Sequence, residues 1–257
     1  MHQKSYFISD LHLGARYISD HRAYEKSIVE WLEEIGPSAR NLFMLGDILD
    51  YWYEYRNVVP RGFIRFFGAL ARLADSGTDI VWLKGNHDIW LFDYLKNEIG
   101  LTVTDGVYER ILDGTKFVME HGDGVGRLPF GYKLMRNGFR SRFLQRLYAG
   151  IHPRWTIAFA HGWSSKSRME TPVPKPDMIR RDIDRLTGWS VGYNLAHTNN
   201  PARYFIFGHL HTPMLIENID DTATLAVLGA GICNFQYGEW DGSTFRLIER
   251  NLGQVCI

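Results

Sequence analysis

The feature that most constrains this chain is a set of five short motifs, each at the end of an apolar run. Every motif carries a carboxylate, amide or imidazole side chain beside glycine or directly after the apolar residues. In chain order they are Ser9-Asp10-Leu11-His12, Gly46-Asp47-Ile48-Leu49-Asp50, Gly85-Asn86-His87-Asp88, Glu120-His121-Gly122-Asp123 and Gly208-His209-Leu210-His211. In open α/β sheets, ligands bind at the carboxyl ends of the strands. The motifs therefore predict an α/β fold with one site built from five loops.

The apolar pattern predicts strands and helices in alternation around these motifs. Seven runs have strand length, and the first five each lead into one motif: 6–9, 42–45, 80–83, 116–119, 204–207, 224–228 and 244–248. Apolar residues at helical spacing predict a helix from about Arg22 to Gly36. A second helix is expected to begin near Pro60, where proline suits the first turn, and to end at Gly77.

The chain length and composition are those of one globular domain. The 257 residues are 45% hydrophobic and 23% charged, and α/β folds of this size often form a single domain. We therefore expect one domain over residues 1–257. About eighty residues without a clear strand separate the fourth and fifth predicted strands, which predicts a helical insertion at about 127–198. The pair Asn137-Gly138 is expected to break one helix of this insertion from the next.

The predicted insertion has an unusual charge balance in a chain whose formal net charge is zero. From Arg127 to Arg168 it contains nine Lys or Arg residues and no Asp or Glu, together with several aromatic residues. Such a segment favours an anionic, partly apolar partner. The alternative is a helical hairpin that packs its aromatic residues on the core and exposes its arginines to water.

The cysteines and the first residues of the chain indicate the cellular compartment. Cys233 and Cys256 form neither a metal-binding spacing nor a disulfide framework, which is typical of a reducing compartment. The residues before Tyr6 do not have the pattern of a signal peptide, and no apolar run approaches the ~18–20 residues that span a bilayer. We expect a cytoplasmic protein.

The motifs supply nitrogen and oxygen donors but no thiolate, a set that suits two cations such as Mn²⁺, Fe²⁺ or Zn²⁺. Asp47 is the candidate bridge, because one carboxylate can offer an oxygen to each cation. Asp50 and Asp88 are expected to orient neighbouring side chains, and His87 could protonate a leaving oxygen or hold a phosphoryl oxygen. Each motif alone also fits a turn or a helix cap. The candidate ligands are Asp10, His12, Asp47, Asn86, His121, His209 and His211.

In these motifs the chain resembles the calcineurin-like metallophosphoesterases, whose signature is matched from Asp10 to His211. The resemblance implies a two-sheet αββα sandwich and a two-metal phosphohydrolase, with Mn²⁺ as the first expectation for the ions. It also implies that His87, Asp47 and Asn86 take part in catalysis. One ion would be held by Asp10, His12, Asp47 and His211, and the other by Asp47, Asn86, His121 and His209.

Within this family the chain is most similar to the UDP-2,3-diacylglucosamine diphosphatases of lipid A synthesis. The similarity lies in the length, the His-Gly-Asp of 121–123, the basic insertion and the run Ser164-Ser165-Lys166-Ser167. It implies cleavage of an acylated nucleotide sugar to UMP and the diacylated sugar 1-phosphate, by an enzyme peripheral on the inner face of the cell membrane. The substrate-binding residues would be Asn86, His87, Asp123, Arg127, Arg140, Ser164, Lys166 and His209.

One departure from that branch keeps other activities open, because its best-known members carry Arg where this chain has His87. A phosphodiesterase or nuclease acting on nucleic acid or another nucleotide diester would use the same metals, and basic and aromatic residues also suit single strands. The zero net charge argues against a nucleic-acid partner, and no protein partner is inferred. A protein phosphatase is disfavoured because Tyr51-Trp52 follows Asp50 where that branch has Arg-Gly. A non-catalytic scaffold is disfavoured by the seven intact ligand positions.

Overall fold

The structure is a computed structural model that describes residues 3–156, 176–231 and 235–252. Its strands are β1 (Lys4–Ile8), β2 (Ala39–Leu45), β3 (Asp79–Leu83), β4 (Thr102–Thr104), β5 (Tyr108–Leu112), β6 (Thr115–Glu120), β7 (Tyr204–Phe207), β8 (Met214–Ile216), β9 (Thr224–Val227), β10 (Phe235–Trp240) and β11 (Phe245–Arg250). Its helices are α1 (His21–Ile35), α2 (Ile64–Asp75), α3 (Tyr94–Ile99), α4 (Phe130–Arg140), α5 (Arg142–Ala149) and α6 (Pro176–Ala196).

The strands form two mixed sheets. The six-stranded sheet has the order β11-β10-β1-β2-β3-β4, and β1 to β4 run parallel. The five-stranded sheet has the order β5-β6-β7-β9-β8, in which β6, β7 and β9 run parallel. All five strands that lead into the motifs are therefore members of parallel ladders, and within each sheet their carboxyl ends lie at one edge.

The two sheets pack face to face on a shared apolar core. Phe7 and Phe43 of the first sheet meet Phe117 and Ile206 of the second, and the Phe7 and Phe117 rings stack with their centroids 5.6 Å apart. Side chains on a strand alternate between the two faces of its sheet, so the neighbours of these residues point outwards. This alternation gives each sheet a second apolar face that needs a helical cover.

Helices cover both outer faces. Trp31 of α1 and Phe66 of α2 pack against the outer face of the six-stranded sheet. Leu186 of α6 packs with Phe205 and Phe207 on the outer face of the five-stranded sheet. The order helix, sheet, sheet, helix confirms the predicted αββα sandwich.

Helices α4 and α5 differ from the others, because none of their residues is buried. Their position is set by aromatic side chains from the motif loops: Trp90 stacks on Tyr148 of α5 at 4.9 Å, and its indole N–H donates to the carbonyl of Phe139 at 3.0 Å. Among the described helices, none is long and apolar enough to cross a membrane.

The seven predicted strands are all present, with ends displaced by up to three residues, but β4, β5, β8, β10 and α3 were not expected. Helix α2 begins at Ile64, four residues later than Pro60. The predicted break at Asn137-Gly138 is wrong, because α4 continues to Arg140 and the chain leaves helical geometry at Ser141. Trp90 and Gln145 both donate to the Phe139 carbonyl, which anchors the change of direction there.

Candidate metal centre

The five motif loops are joined by hydrogen bonds between their backbones and short side chains. Asp10 donates its N–H to the carbonyl of Gly46 at 3.1 Å, and Gly208 donates to the carbonyl of His121 at 2.8 Å. The N–H of His209 reaches Oδ2 of Asp10 at 2.8 Å. The loops of the two sheets thus form one unit, in which the position of each side chain depends on its neighbours.

The backbone of these loops adopts a conformation that most residues avoid. Nine non-glycine residues of the described chain have positive φ, and five of them are predicted ligands: Asp10, His12, Asp47, His209 and His211. Left-handed backbone costs L-residues free energy and is concentrated at functional sites. Glycines allow the loops to approach closely, since a Cβ on Gly85 would overlap Oδ1 of Asp47 and one on Gly208 would overlap the hydroxyl of Ser9.

A first cluster contains Asp10, His12 and His211. The Nε2 atoms of the two imidazoles are 3.1 Å apart, and they lie 3.7 and 3.1 Å from Oδ1 of Asp10. Oδ2 of Asp10 accepts hydrogen bonds from Ser9 and His209, but the buried Oδ1 accepts none from the described residues. A buried carboxylate oxygen that lacks a donor and faces two imidazole nitrogens fits a divalent cation.

A second cluster contains Asp47, His121 and His209, with Asn86 beside it. Nε2 of His121 lies 3.4 Å from Oδ2 of Asp47 and 3.2 Å from the amide oxygen of Asn86. Nδ1 of His121 donates to the carbonyl of Leu45 at 2.7 Å, so Nε2 is the nitrogen that faces the cluster, and a cation there would take the place of its proton. This is the usual way in which an outer hydrogen bond prepares a histidine for a metal.

One carboxylate oxygen faces both clusters. Oδ2 of Asp47 lies 3.8 Å from Nε2 of His12 and 3.4 Å from Nε2 of His121, while Oδ1 accepts the N–H of His87 at 2.8 Å. Burial would raise the pKa of Asp47, but the surrounding imidazoles, His121 foremost, hold that pKa far below its usual value. Burial and His121 lower the pKa of His209 to about 4, so its imidazole is neutral and able to ligate. The donor set fits two cations that share Asp47.

His87 lies at the edge of the pair of clusters and is only partly buried. One of its ring nitrogens lies within 4.8 Å of ligand atoms of His12 and Asp47. Its Nδ1 donates to the carbonyl of Asp50 at 2.9 Å, which leaves Nε2 as the atom that accepts or carries a second proton. The Asp50 carboxylate lies 3.6 Å from Nδ1 of His12 and 3.5 Å from Nδ1 of His87.

Asp88 is fully buried and holds two ligand loops together through their backbone. Its Oδ1 accepts the N–H of Gly85 at 2.8 Å, and its Oδ2 accepts the N–H of Ile48 at 2.9 Å and the indole N–H of Trp82 at 3.1 Å. Ile48 follows Asp47 and Gly85 precedes Asn86, so these bonds set the distance between two candidate ligands.

The other candidate substrate-binding residues are spread more widely. The buried Asp123 accepts hydrogen bonds from Tyr132 and Arg136, and Arg140 lies 4.0 Å from it. Burial raises the pKa of Asp123, but His121 and the two arginines bring it below its usual value. Arg127 is exposed in the loop before α4. Ser164 and Lys166 lie outside the described residues, as do Cys233 and Cys256.

Two residues that contact these loops were not singled out from the sequence: Arg185 and Trp90. Arg185 of α6 donates to the carbonyl oxygens of Gly122 and Val125. An arginine in a helix carries no local signal for such a contact. The alternating glycines at 122, 124 and 126 were the available sign that other groups approach this backbone closely.

Comparison with known proteins adds four findings. The sequence profile described as calcineurin-like phosphoesterase matches residues 4–213. A protein of Porphyromonas gingivalis named UDP-2,3-diacylglucosamine hydrolase is 38% identical over 257 residues, which cover 96% of this chain and 97% of that protein. A protein of the same name from Edwardsiella ictaluri is 27% identical over 95% of this chain and 90% of its own length. Among solved structures, an archaeal phosphodiesterase aligns with a TM-score of 0.45 and 16% identity over 96% of this chain and 99% of that one.

Proposed function

This chain belongs to the calcineurin-like phosphoesterase family, and we propose that it hydrolyses the diphosphate of UDP-2,3-diacylglucosamine to UMP and 2,3-diacylglucosamine 1-phosphate with two divalent metal ions. The observation that carries the proposal is the single Asp47 oxygen between two clusters of ligands. The relative from Porphyromonas gingivalis, similar over almost its whole length, supports the choice of substrate.

The proposed ligands divide into two sets that share Asp47, and Mn²⁺ suits their mixture of oxygen and nitrogen donors. When bound, two such ions provide a nucleophilic water near neutral pH and offset negative charge on the phosphoryl oxygens. Asn86 adds a neutral oxygen, which limits the negative charge at the site. The first set is Asp10, His12, Asp47 and His211, and the second is Asp47, Asn86, His121 and His209.

His87 is proposed to act on the reacting phosphate from the open side of the site. Its Nδ1 is engaged by the Asp50 carbonyl, so a proton on Nε2 can be donated to a phosphoryl oxygen or to the leaving oxygen. His87 here occupies the place that Arg has in better-known members of the resembled branch. Its protonation would therefore supply the positive charge that Arg provides at every pH.

The insertion is proposed to bind the acylated part of the substrate and to contact the membrane surface from the cytoplasmic side. Helices α4 and α5 expose Phe130, Phe143 and Leu147, with 82%, 69% and 58% of their surfaces accessible. Their exposure speaks against a hairpin that buries its aromatic stripe on the core. Arginines of the insertion would meet the phosphates of the substrate or of lipids. Those proposed here are Arg127 and Arg140, with Ser164 and Lys166 as further substrate contacts.

The test of the proposed function compares three phosphate compounds with the purified protein and Mn²⁺. UDP-2,3-diacylglucosamine, UDP-N-acetylglucosamine and a generic aryl phosphodiester are incubated in parallel, and phosphorus NMR identifies the products. We expect metal-dependent UMP from the acylated compound in strong preference to the other two. Turnover of the aryl diester alone would contradict the substrate and favour the nuclease or phosphodiesterase alternative. Asp47→Ala, purified identically, controls for contaminating hydrolases.

The membrane contact is tested separately by cosedimentation with anionic phospholipid vesicles. Phe143→Ser with Leu147→Ser is expected to reduce vesicle binding, because apolar area on α5 is lost. The matched control is Ile111→Ser, which removes an equally exposed apolar side chain from β5. Equal binding by the parent, the double variant and the control would contradict a role of α5 at the membrane.

A further inference from the structure

The loop Gly122–Gly126, which directly follows His121, is held from one side by an arginine of the insertion. Nε of Arg136, in α4, donates to Oδ2 of Asp123 at 2.9 Å, and its Nη2 lies 3.7 Å from Oε1 of Glu120. Tyr132, one turn earlier in α4, donates its hydroxyl to the same Asp123 oxygen at 3.1 Å. Two residues of α4 therefore converge on one buried carboxylate.

The same loop is held from the other side by Arg185 of α6, a helix of the sandwich itself. Nη2 of Arg185 donates to the carbonyl of Gly122 at 2.9 Å, and Nη1 donates to the carbonyl of Val125. Asp182 accepts from the same guanidinium and keeps it in place. This contact does not involve α4 or α5, and α6 packs on the five-stranded sheet, so Arg185 holds the loop to the core independently of α4.

The sequence of the loop is adapted to these contacts. A Cβ on Gly124 would overlap Nη2 of Arg136 and Oε1 of Glu120, and one on Gly126 would lie 2.7 Å from Cγ of Arg185. The glycines thus admit both arginines to the backbone. The approach of Arg136 is a built contact and not a chance encounter of surface charges.

The Arg136 contact matters because it offsets the charge of two buried carboxylates. Asp123 and Glu120 are both 2% exposed and lie on either side of His121 in the sequence. Buried carboxylates are costly when they lose their partner. If α4 moved away, Asp123 would have to turn towards water, and the loop that begins at His121 would move with it.

We propose that Arg136 is a positioning residue that makes the second cation cluster depend on the docking of α4. It acts through Asp123, two residues after His121 in the loop that begins at this ligand of the second cluster. The proposal rests on the two-ion site proposed above but not on the identity of the substrate. Because α4 carries exposed apolar and basic residues, a ligand that binds these residues and shifts α4 also changes the metal affinity of the second cluster.

The expected magnitude is that of an outer contact to a metal ligand. Changing residues that orient ligands lowers metal affinity by about 10–100-fold. Arg136→Met should lower the affinity for one of the two Mn²⁺ ions by this factor. The affinity for the other ion should equal that of the parent. Asp10, His12 and His211 lie on loops after β1 and β7 and hold the ion that should be unaffected.

The test is titration of metal-free full-length protein with Mn²⁺, followed by calorimetry and by the electron paramagnetic resonance signal of a coupled ion pair. Arg136→Lys should restore much of the affinity, because it keeps a charge that reaches Asp123. Lys133→Met is the matched control, since it removes the same charge from an exposed position of the same helix and should match the parent. Equal weakening of both ions, or no weakening, in folded Arg136→Met would overturn the proposal.

A second variant covers the case in which Arg136→Met is not recovered in folded form. Asp123→Asn keeps the size of the side chain, and it should produce the same selective weakening of one ion. If both single variants fold, their double variant should show less than the sum of the two effects, because both remove one contact. Additive effects would overturn the proposal. If the parent protein binds only one ion, the two-ion function itself is refuted. If the variants lower the affinity for both ions equally, only the proposed role of Arg136 is refuted.

Discussion

Asp88→Asn is the most informative single substitution outside the ligands themselves, because Asp88 accepts hydrogen bonds from the backbone of two ligand loops. Its two oxygens accept three hydrogen bonds, from the N–H groups of Gly85 and Ile48 and from the indole of Trp82. An amide has the same size but only one accepting oxygen. The best orientation of the asparagine keeps the two bonds made by Oδ2 and places its NH₂ against the N–H of Gly85.

The magnitude follows from that count. One hydrogen bond to a buried, charged acceptor is lost and two donors are opposed, which costs about 1–3 kcal/mol of the free energy of unfolding. The Gly85 loop must move to relieve the opposed donors, and Asn86 moves with it relative to Asp47. Metal affinity should therefore fall by about 10–100-fold.

Two measurements on purified protein check this prediction: denaturant unfolding of the metal-free form and calorimetric titration with Mn²⁺. Asp113→Asn is the control, because Asp113 also accepts from an indole, that of Trp240, at 2.9 Å. It lies between β5 and β6, at the opposite end of β6 from His121. The control should lose stability without losing metal affinity. If Asp88→Asn binds Mn²⁺ as tightly as the parent, the reasoning is refuted.

The remaining predictions concern the bridging ligand, the close contact between Gly85 and Asp47, the insertion and the bound ions. Asp47→Ala should abolish turnover and the paired binding of both ions, as measured by rate and by metal content; near-normal activity would exclude the bridging role. Gly85→Ala introduces a Cβ that overlaps Oδ1 of Asp47 and should slow turnover on the order of 100-fold, whereas an unchanged rate would show that the loop adapts. Trp90→Leu removes the donor to Phe139 and the stacking on Tyr148, so KM for the acylated substrate should rise while the rate on an aryl diester persists; a parallel fall in both would place Trp90 in the common site. Adding Mn²⁺ at 100 times its dissociation constant should stabilise the chelator-treated protein by about 2.7 kcal/mol per ion, and a melting temperature indifferent to the metal would argue against two tight sites.

The features that sequence could predict are those in which chemistry and local pattern coincide. Asp47 and Asn86 each follow a glycine at the end of an apolar run, and both the strand and the turn are encoded within a few residues. Because parallel strands bring their carboxyl ends together, five such local signals specified one site. The structure has all five motif strands and brings the candidate ligands into two adjoining clusters.

The features that sequence could not predict depend on contacts between distant segments. Strand β4 has three residues and gains its stability from pairing with β3, which no local pattern records. Asn137 and Gly138 have strong turn chemistry, yet they stay helical because the chain is anchored at Phe139 by Trp90. Arg185 reaches a carbonyl 63 positions earlier in the chain. Such contacts arise from tertiary packing, which overrides local propensity.

The most direct test of the central claim is one titration in which bound metal and product are measured together. Metal-free protein is supplied with increasing Mn²⁺ in the presence of UDP-2,3-diacylglucosamine, and the ions bound per chain are compared with the rate of UMP release. The two-ion account predicts that the rate rises with the binding of the second ion and disappears in Asp47→Ala. Full activity with one ion per chain, or activity that survives a chelator, would contradict it.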